Sequence, residues 1–144
     1  MKKSKESILV WYKLSTYTMW AALAVLILVL VMMFYPYNPY EIKASRVLTP
    51  EVKSGEHLLI EVDYCKYTSK TATVTRNLVD GYIYNITPFQ SNLPKGCGTR
   101  SISIYITRNL PPGTYYLETL VEYDMNPLNK VIIESVTDYF KIVE

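Results

Sequence analysis

Two hydrophobic patterns divide the chain. Residues 14–40 carry no charge, and within them residues 19–35 read MWAALAVLILVLVMMFY, an apolar run without Gly or Pro. Beyond Glu41 apolar and polar residues alternate instead. Ile60, Val62 and Tyr64 alternate with Glu61, Asp63 and Cys65, and Ala72, Val74 and Leu78 with Thr71, Thr73, Thr75 and Asn77. Ile102, Ile104 and Ile106 alternate with Ser101, Ser103, Tyr105 and Thr107; Tyr115, Leu117 and Val121 alternate with Tyr116, Glu118 and Glu122. A period of two with one polar face marks the half-buried antiparallel strand. Turn-forming residues separate the runs at Lys53-Ser54-Gly55, Val79-Asp80-Gly81, Leu93-Pro94-Lys95-Gly96, Leu110-Pro111-Pro112-Gly113 and Asn126-Pro127-Leu128-Asn129. The pattern predicts seven strands, near 41–48, 57–67, 71–78, 82–88, 100–107, 114–123 and 130–143. Seven short strands without a helical period imply an all-β, two-sheet sandwich.

The apolar run predicts one transmembrane helix over residues 14–35. Such a helix spans roughly 33 Å at ~1.5 Å per residue, enough for a hydrocarbon core about 30 Å thick. Its Leu, Ile, Val and Phe residues favour insertion by about 3–5 kcal/mol, with no charge opposing them. Trp11, Tyr12, Tyr17 and Trp20 at one end, and Phe34, Tyr35, Tyr37 and Tyr40 at the other, suit the two headgroup layers. Pro36 should stop the helix, leaving residues 36–40 as a stiff Pro/Tyr spacer. A cleaved signal peptide would need a shorter apolar region and small residues at a cleavage site. Here the run ends in Met-Met-Phe-Tyr-Pro-Tyr. A buried helix of a soluble core seldom runs this long without a polar residue. A retained anchor is therefore expected.

Charge gives the anchor a direction. Residues 1–40 hold Lys2, Lys3, Lys5 and Lys13 against Glu6, a net of +3, whereas residues 41–144 carry −1. By the positive-inside rule, residues 1–13 form a short basic cytoplasmic tail and residues 41–144 an exported domain. The overall charge of +2 is no basic surface, so nucleic acid is not an expected partner.

The stretch Leu110-Pro111-Pro112-Gly113-Thr114-Tyr115-Tyr116-Leu117 resembles the turn into the penultimate strand of immunoglobulin-like and fibronectin-like modules, where a Gly ends the turn and a Tyr starts the strand. The resemblance covers residues 41–144 and implies a seven-stranded antiparallel immunoglobulin-like sandwich. The antibody-type Cys, Trp, Cys signature is absent, since Trp11 and Trp20 both lie in the anchor region. A basic tail, one helix and one such sandwich also resemble small envelope proteins encoded by phages. The immunoglobulin-like strand order sets the second strand beside the fifth, so it implies a disulfide between Cys65 and Cys97, which an oxidising compartment would allow.

Candidate chemistry is sparse. His57 is the single histidine and opens a strand after Ser54-Gly55-Glu56, with no nucleophile elbow in sight. One His and two Cys do not make a zinc site. The acidic residues are spread singly, unlike a calcium loop, and no Gly-rich phosphate loop occurs. No enzyme activity, cofactor or metal is therefore expected. Asn85-Ile86-Thr87 matches a glycosylation sequon but precedes Pro88 in a predicted strand. Tyrosine stands out: Tyr64, Tyr67, Tyr82 and Tyr84 fall on or beside consecutive strands and are candidates for a binding surface. Loops 66–70 and 88–99 are further contact candidates. Ala21, Ala22 and Ala24 allow close helix approach without a small-xxx-small pair, so an oligomer signal is weak. These features suggest a membrane-anchored interaction or structural module that meets the bilayer and a protein partner in an envelope or virion. The alternative is a phage-encoded membrane protein acting in host lysis or superinfection exclusion.

Overall fold

The computed structural model describes residues 2–34 and 38–144, with side chains at residue 11 and from residue 13 onward within those ranges. Tyr35, Pro36 and Tyr37, and the side chain of Tyr12, lie outside the described residues. Two compact units result, one ending at Pro36 and one beginning at Tyr37.

The first unit is a single helix, α1 (Lys2–Phe34). It starts twelve residues before the expected boundary at residue 14, because no Gly or Pro interrupts the tail. The stretch Lys13–Phe34 is long and apolar enough to cross a bilayer, and none of it is buried.

Among its described residues the second unit has nine strands: β1 (Tyr40–Val47), β2 (Glu51–Lys53), β3 (His57–Lys66), β4 (Ala72–Val79), β5 (Ile83–Ser91), β6 (Gly96–Tyr105), β7 (Gly113–Asn126), β8 (Asn129–Val136) and β9 (Phe140–Val143). One sheet has the order β1-β3-β6, the other β2-β9-β7-β4-β5 with β8 also on β7. The domain is thus mostly β, as the alternation predicts, but with nine strands in place of seven. It is also not wholly antiparallel, since β2 and β9 pair in parallel.

One extra strand, β2, falls between the first two expected strands, and the other comes from a break that splits the expected strand 130–143. After β1 the chain crosses between sheets. Leu48 N donates to Leu59 O at 2.8 Å on one side, while Pro50 O accepts from Lys141 N at 2.8 Å on the other. The expected strand 130–143 is interrupted at Thr137, whose hydroxyl accepts from Leu117 N at 3.0 Å in place of a backbone carbonyl. β8 and β9 therefore occupy successive halves of one edge of β7. A third expectation also changes, because β5 runs through Pro88 to Ser91. The β4–β5 register passes from Val74↔Phe89 to Arg76↔Ile86, so Thr87 and Pro88 together oppose Thr75. A bulge on an edge strand tolerates the missing N–H of proline.

The spacer is shorter than expected. Pro39 is fully buried, its carbonyl accepts from Tyr67 N at 2.9 Å, and Tyr40 opens β1 inside the core. Tyr40 is thus a core residue of the β domain and no membrane anchor. Inward residues of both sheets form one cluster that includes Leu58, Ile60, Leu78, Ile104, Leu117 and Ile142. Each fully buried aliphatic side chain contributes roughly 1.5–3 kcal/mol.

Candidate functional site

A cleft lies between the two sheets, lined by residues of β1, β3 and β6 from one sheet and of β4, β5, β7 and β8 from the other. Its floor follows from strand parity. On β4 the positions sharing a face are Ala72, Val74, Arg76 and Leu78: three apolar side chains and one guanidinium. Thr119 of β7 pairs with Arg76, and Ser135 of β8 pairs with Thr119, so one transverse row of this sheet is polar. Across the cleft, Ser45 and Arg100 flank Val62 in register. Ser45 faces inward because Lys43 is an extra residue in β1, which shifts the register between Ile42 and Ala44. These residues line a cavity of about 430 Å³ whose walls include Ile60, Val74 and Ile102. A second chamber of about 540 Å³ shares Arg76, Phe89 and Ser103 with it.

Arg76 dominates the electrostatics. Its guanidinium carbon lies 4.7 Å from the centre of the Phe89 ring. Its Nε is buried and has no hydrogen-bond partner among the described residues. Burial lowers its pKa, yet a guanidinium stays charged at neutral pH. Among the described residues, none lining either chamber is Asp or Glu. Tyr40 and Tyr123 line the cleft with ring centres 6.1 Å apart, and burial pushes the hydroxyls of both up to about 12. Lys66 is buried, its pKa lowered by desolvation, and its Nζ donates to Leu93 O at 2.7 Å. That bond ties down the short connection between β5 and β6.

The sequence candidates fall in several places. Cys65 and Cys97 face each other in the β3–β6 register and are bonded, with Cα atoms 4.0 Å apart. Trp11, Tyr17, Trp20 and Phe34 are exposed along α1. The four tyrosines do not form one patch. Tyr64 is buried in the core and stacks on Tyr40 with ring centres 5.8 Å apart. Tyr67 is exposed just beyond β3, and its hydroxyl donates to Glu41 Oε2 at 3.0 Å. Tyr82 is exposed in the β4–β5 turn, and half-buried Tyr84 lies 6.0 Å from the Tyr115 ring. Tyr64 and Tyr67 sit where β3 runs towards β4, whereas Tyr82 and Tyr84 sit at the opposite end of β4. Of loop 88–99 only residues 92–95 lie outside strands. His57 Nδ1 lies 3.0 Å from Ser103 Oγ on the exposed β3–β6 surface.

Arg76 is the residue that reading the sequence overlooks. Its signal was available: it occupies the same parity as Ala72, Val74 and Leu78, so the alternation assigns a charged residue to an inward position.

No protein-family model and no curated protein matches this chain. Among solved structures it is similar to an alkylpurine DNA glycosylase from Pseudomonas fluorescens bound to DNA containing an abasic site analog, with TM-score 0.44 and 14% identity over 79% of this chain and 33% of that one. It is also similar to a β-glucosidase from Erythrobacter marinus, with TM-score 0.43 and 10% identity over 72% of this chain and 15% of that one. A protein of unknown function from Porphyromonas gingivalis W83 gives TM-score 0.40 and 16% identity over 74% of this chain and 48% of that one. The chain thus spans under half the length of each, and likenesses at this level identify neither a family nor an activity.

Proposed function

We propose that this chain is a membrane-anchored structural or interaction module. It holds an immunoglobulin-like β domain on the extracytoplasmic side, for contact with another envelope or virion component. The observation that carries the reading is the pairing of an unburied, bilayer-length helix at Lys13–Phe34 with a cross-linked β domain that starts almost directly after it. An internal disulfide suits an oxidising compartment. The lysines at positions 2, 3, 5 and 13 favour a cytoplasmic N-terminus.

Two details support the immunoglobulin-like assignment. The sheets β1-β3-β6 and β9-β7-β4-β5 resemble strands A-B-E and G-F-C-C′ of that architecture, with β8 sharing the β7 edge and β2 added in parallel on β9. Tyr115 near the start of β7 donates from its hydroxyl to Pro111 O at 2.8 Å, as the tyrosine of an E–F corner does.

Alkaline carbonate extraction combined with protease treatment of intact spheroplasts tests the reading. The chain is expected to stay in the membrane pellet, and its β domain to be cut from outside. Release into the supernatant, or a β domain protected until the membrane is broken, would overturn it.

A further inference from the structure

A cation on the inner face of a sheet is unfavourable unless something satisfies it. β4 nevertheless places Arg76 between Val74 and Leu78, and no described carboxylate comes within reach. We infer that the cleft between the two sheets binds a small amphipathic carboxylate, with its head on the Arg76 guanidinium and its hydrocarbon part between the sheets.

The geometry suits that ligand. The Arg76 guanidinium carbon lies over the Phe89 ring at 4.7 Å, while Nε is buried and unpartnered among the described residues. A planar fork of N–H donors matches a carboxylate through two parallel hydrogen bonds. Thr119 and Ser135, in register with Arg76, add hydroxyl donors on the same floor. Exposed Arg100 lines the cavity from the facing sheet, so the approach is positive, and no acidic lining residue opposes it. Lys66 Nζ is taken up by Leu93 O and Arg100 is exposed, which leaves Arg76 as the inward cation with an unsatisfied donor and so calls for a single head group. The apolar part of the wall includes Ile60, Val74, Ile102 and Val121, with Ser45 among the polar positions beside it. About 430 Å³ lies within the size range of small-molecule sites, roughly 300–1,000 Å³. A ligand there would relieve the unpaired charge and fill the space together. This inference does not depend on where the helix resides, so its test is separate from that of the anchor.

The probe is 4-phenylbutyrate, titrated into the full-length chain in neutral-detergent micelles. Calorimetry and the tyrosine near-UV CD melt of the β domain are the readouts. 4-Phenylbutanol and 4-phenylbutylamine control for tail partitioning and for charge sign. Phenylbutyrate is expected to bind with a dissociation constant of about 1 mM or tighter and to raise the melting temperature. The alcohol and amine should bind at least about tenfold more weakly. Arg76→Leu should melt no lower than the parent without ligand, yet lose the response to phenylbutyrate. Arg76→Gln provides the same comparison should the leucine variant not fold. Arg76→Lys, which keeps the charge without the fork, should bind more weakly than the parent. No response in the parent, an equal response to the alcohol, or undiminished binding in Arg76→Leu or Arg76→Gln would overturn the inference.

Discussion

Breaking the bond between Cys65 and Cys97 probes the β domain most directly. The two residues lie opposite each other at one end of β3 and β6, and the 32-residue separation encloses all of β4 and β5. On the chain-entropy model, opening a loop of that length destabilises the fold by about 3.7 kcal/mol at room temperature. A domain the size of Tyr37–Glu144 unfolds with an entropy near 0.23 kcal/mol/K, so the melting temperature should fall by about 16 °C. Trp11 and Trp20 lie on α1, so tryptophan fluorescence reports the helix and not this domain. The tyrosine near-UV CD band is the suitable signal, because Tyr40, Tyr64, Tyr115 and Tyr123 are all buried in the core. The full chain in detergent would be melted with and without a phosphine reductant, alongside the double variant Cys65→Ala/Cys97→Ala. These are the only two cysteines, so reduction and the variant should give closely similar shifts. A shift below about 5 °C, with thiol counting showing the bond intact at the start, would mean that the closed loop does not constrain the unfolded chain as argued.

Two further outcomes follow from the core. Tyr115→Phe removes the hydrogen bond to Pro111 O and should cost about 1 kcal/mol, a drop of roughly 4–5 °C in the same CD melt; an unchanged melt would show that the corner bond adds nothing. Burial raises the hydroxyls of Tyr40 and Tyr123 to about 12 from their ordinary value of 10.0. The folded state therefore keeps protons that the unfolded chain gives up, and stability present below about pH 10 is lost as the pH rises through about 12. Melts repeated at stepped pH with tyrosinate absorbance should show these groups ionising together with unfolding. A melting temperature that stays level across that window would contradict the placement of both rings in the core.

What was legible in the sequence depended on rules that act within one strand. Leu58, Ile60, Val62 and Tyr64 share a parity on β3 and are all buried, so Tyr64 was recognisable as core before any fold was known. The uncharged run before Glu41 likewise identifies a helix without reference to any other element. The short strand β2 and the break before β9 were not legible. Each depends on a partner from elsewhere: Lys141 N for Pro50 O, and Leu117 N for the Thr137 hydroxyl. Pro88 reads as a strand end until it is known that β5 lies on a sheet edge, where a missing N–H breaks no second ladder.

The polar row in the cleft needs both kinds of information. Parity alone turns Arg76 inward, and a charge on that stripe is a signal that one strand carries by itself. What lies around it is set by register between strands. Thr119 and Ser135 meet Arg76 only because β7 pairs with β4 on one side and β8 on the other, and Ser45 faces inward only because β1 bulges at Lys43. A β1 without that bulge would turn Ala44 inward and Ser45 to solvent, since a shift of one residue exchanges the faces of a strand. Bulges recur where a sheet re-aims side chains towards a site. Here one bulge admits Ser45 to the cleft and another, at Thr87 and Pro88, brings Ile86 and Phe89 both to the side of Arg76. Two independent irregularities converging on Arg76 are the pattern of a built recess and not of a packing fault.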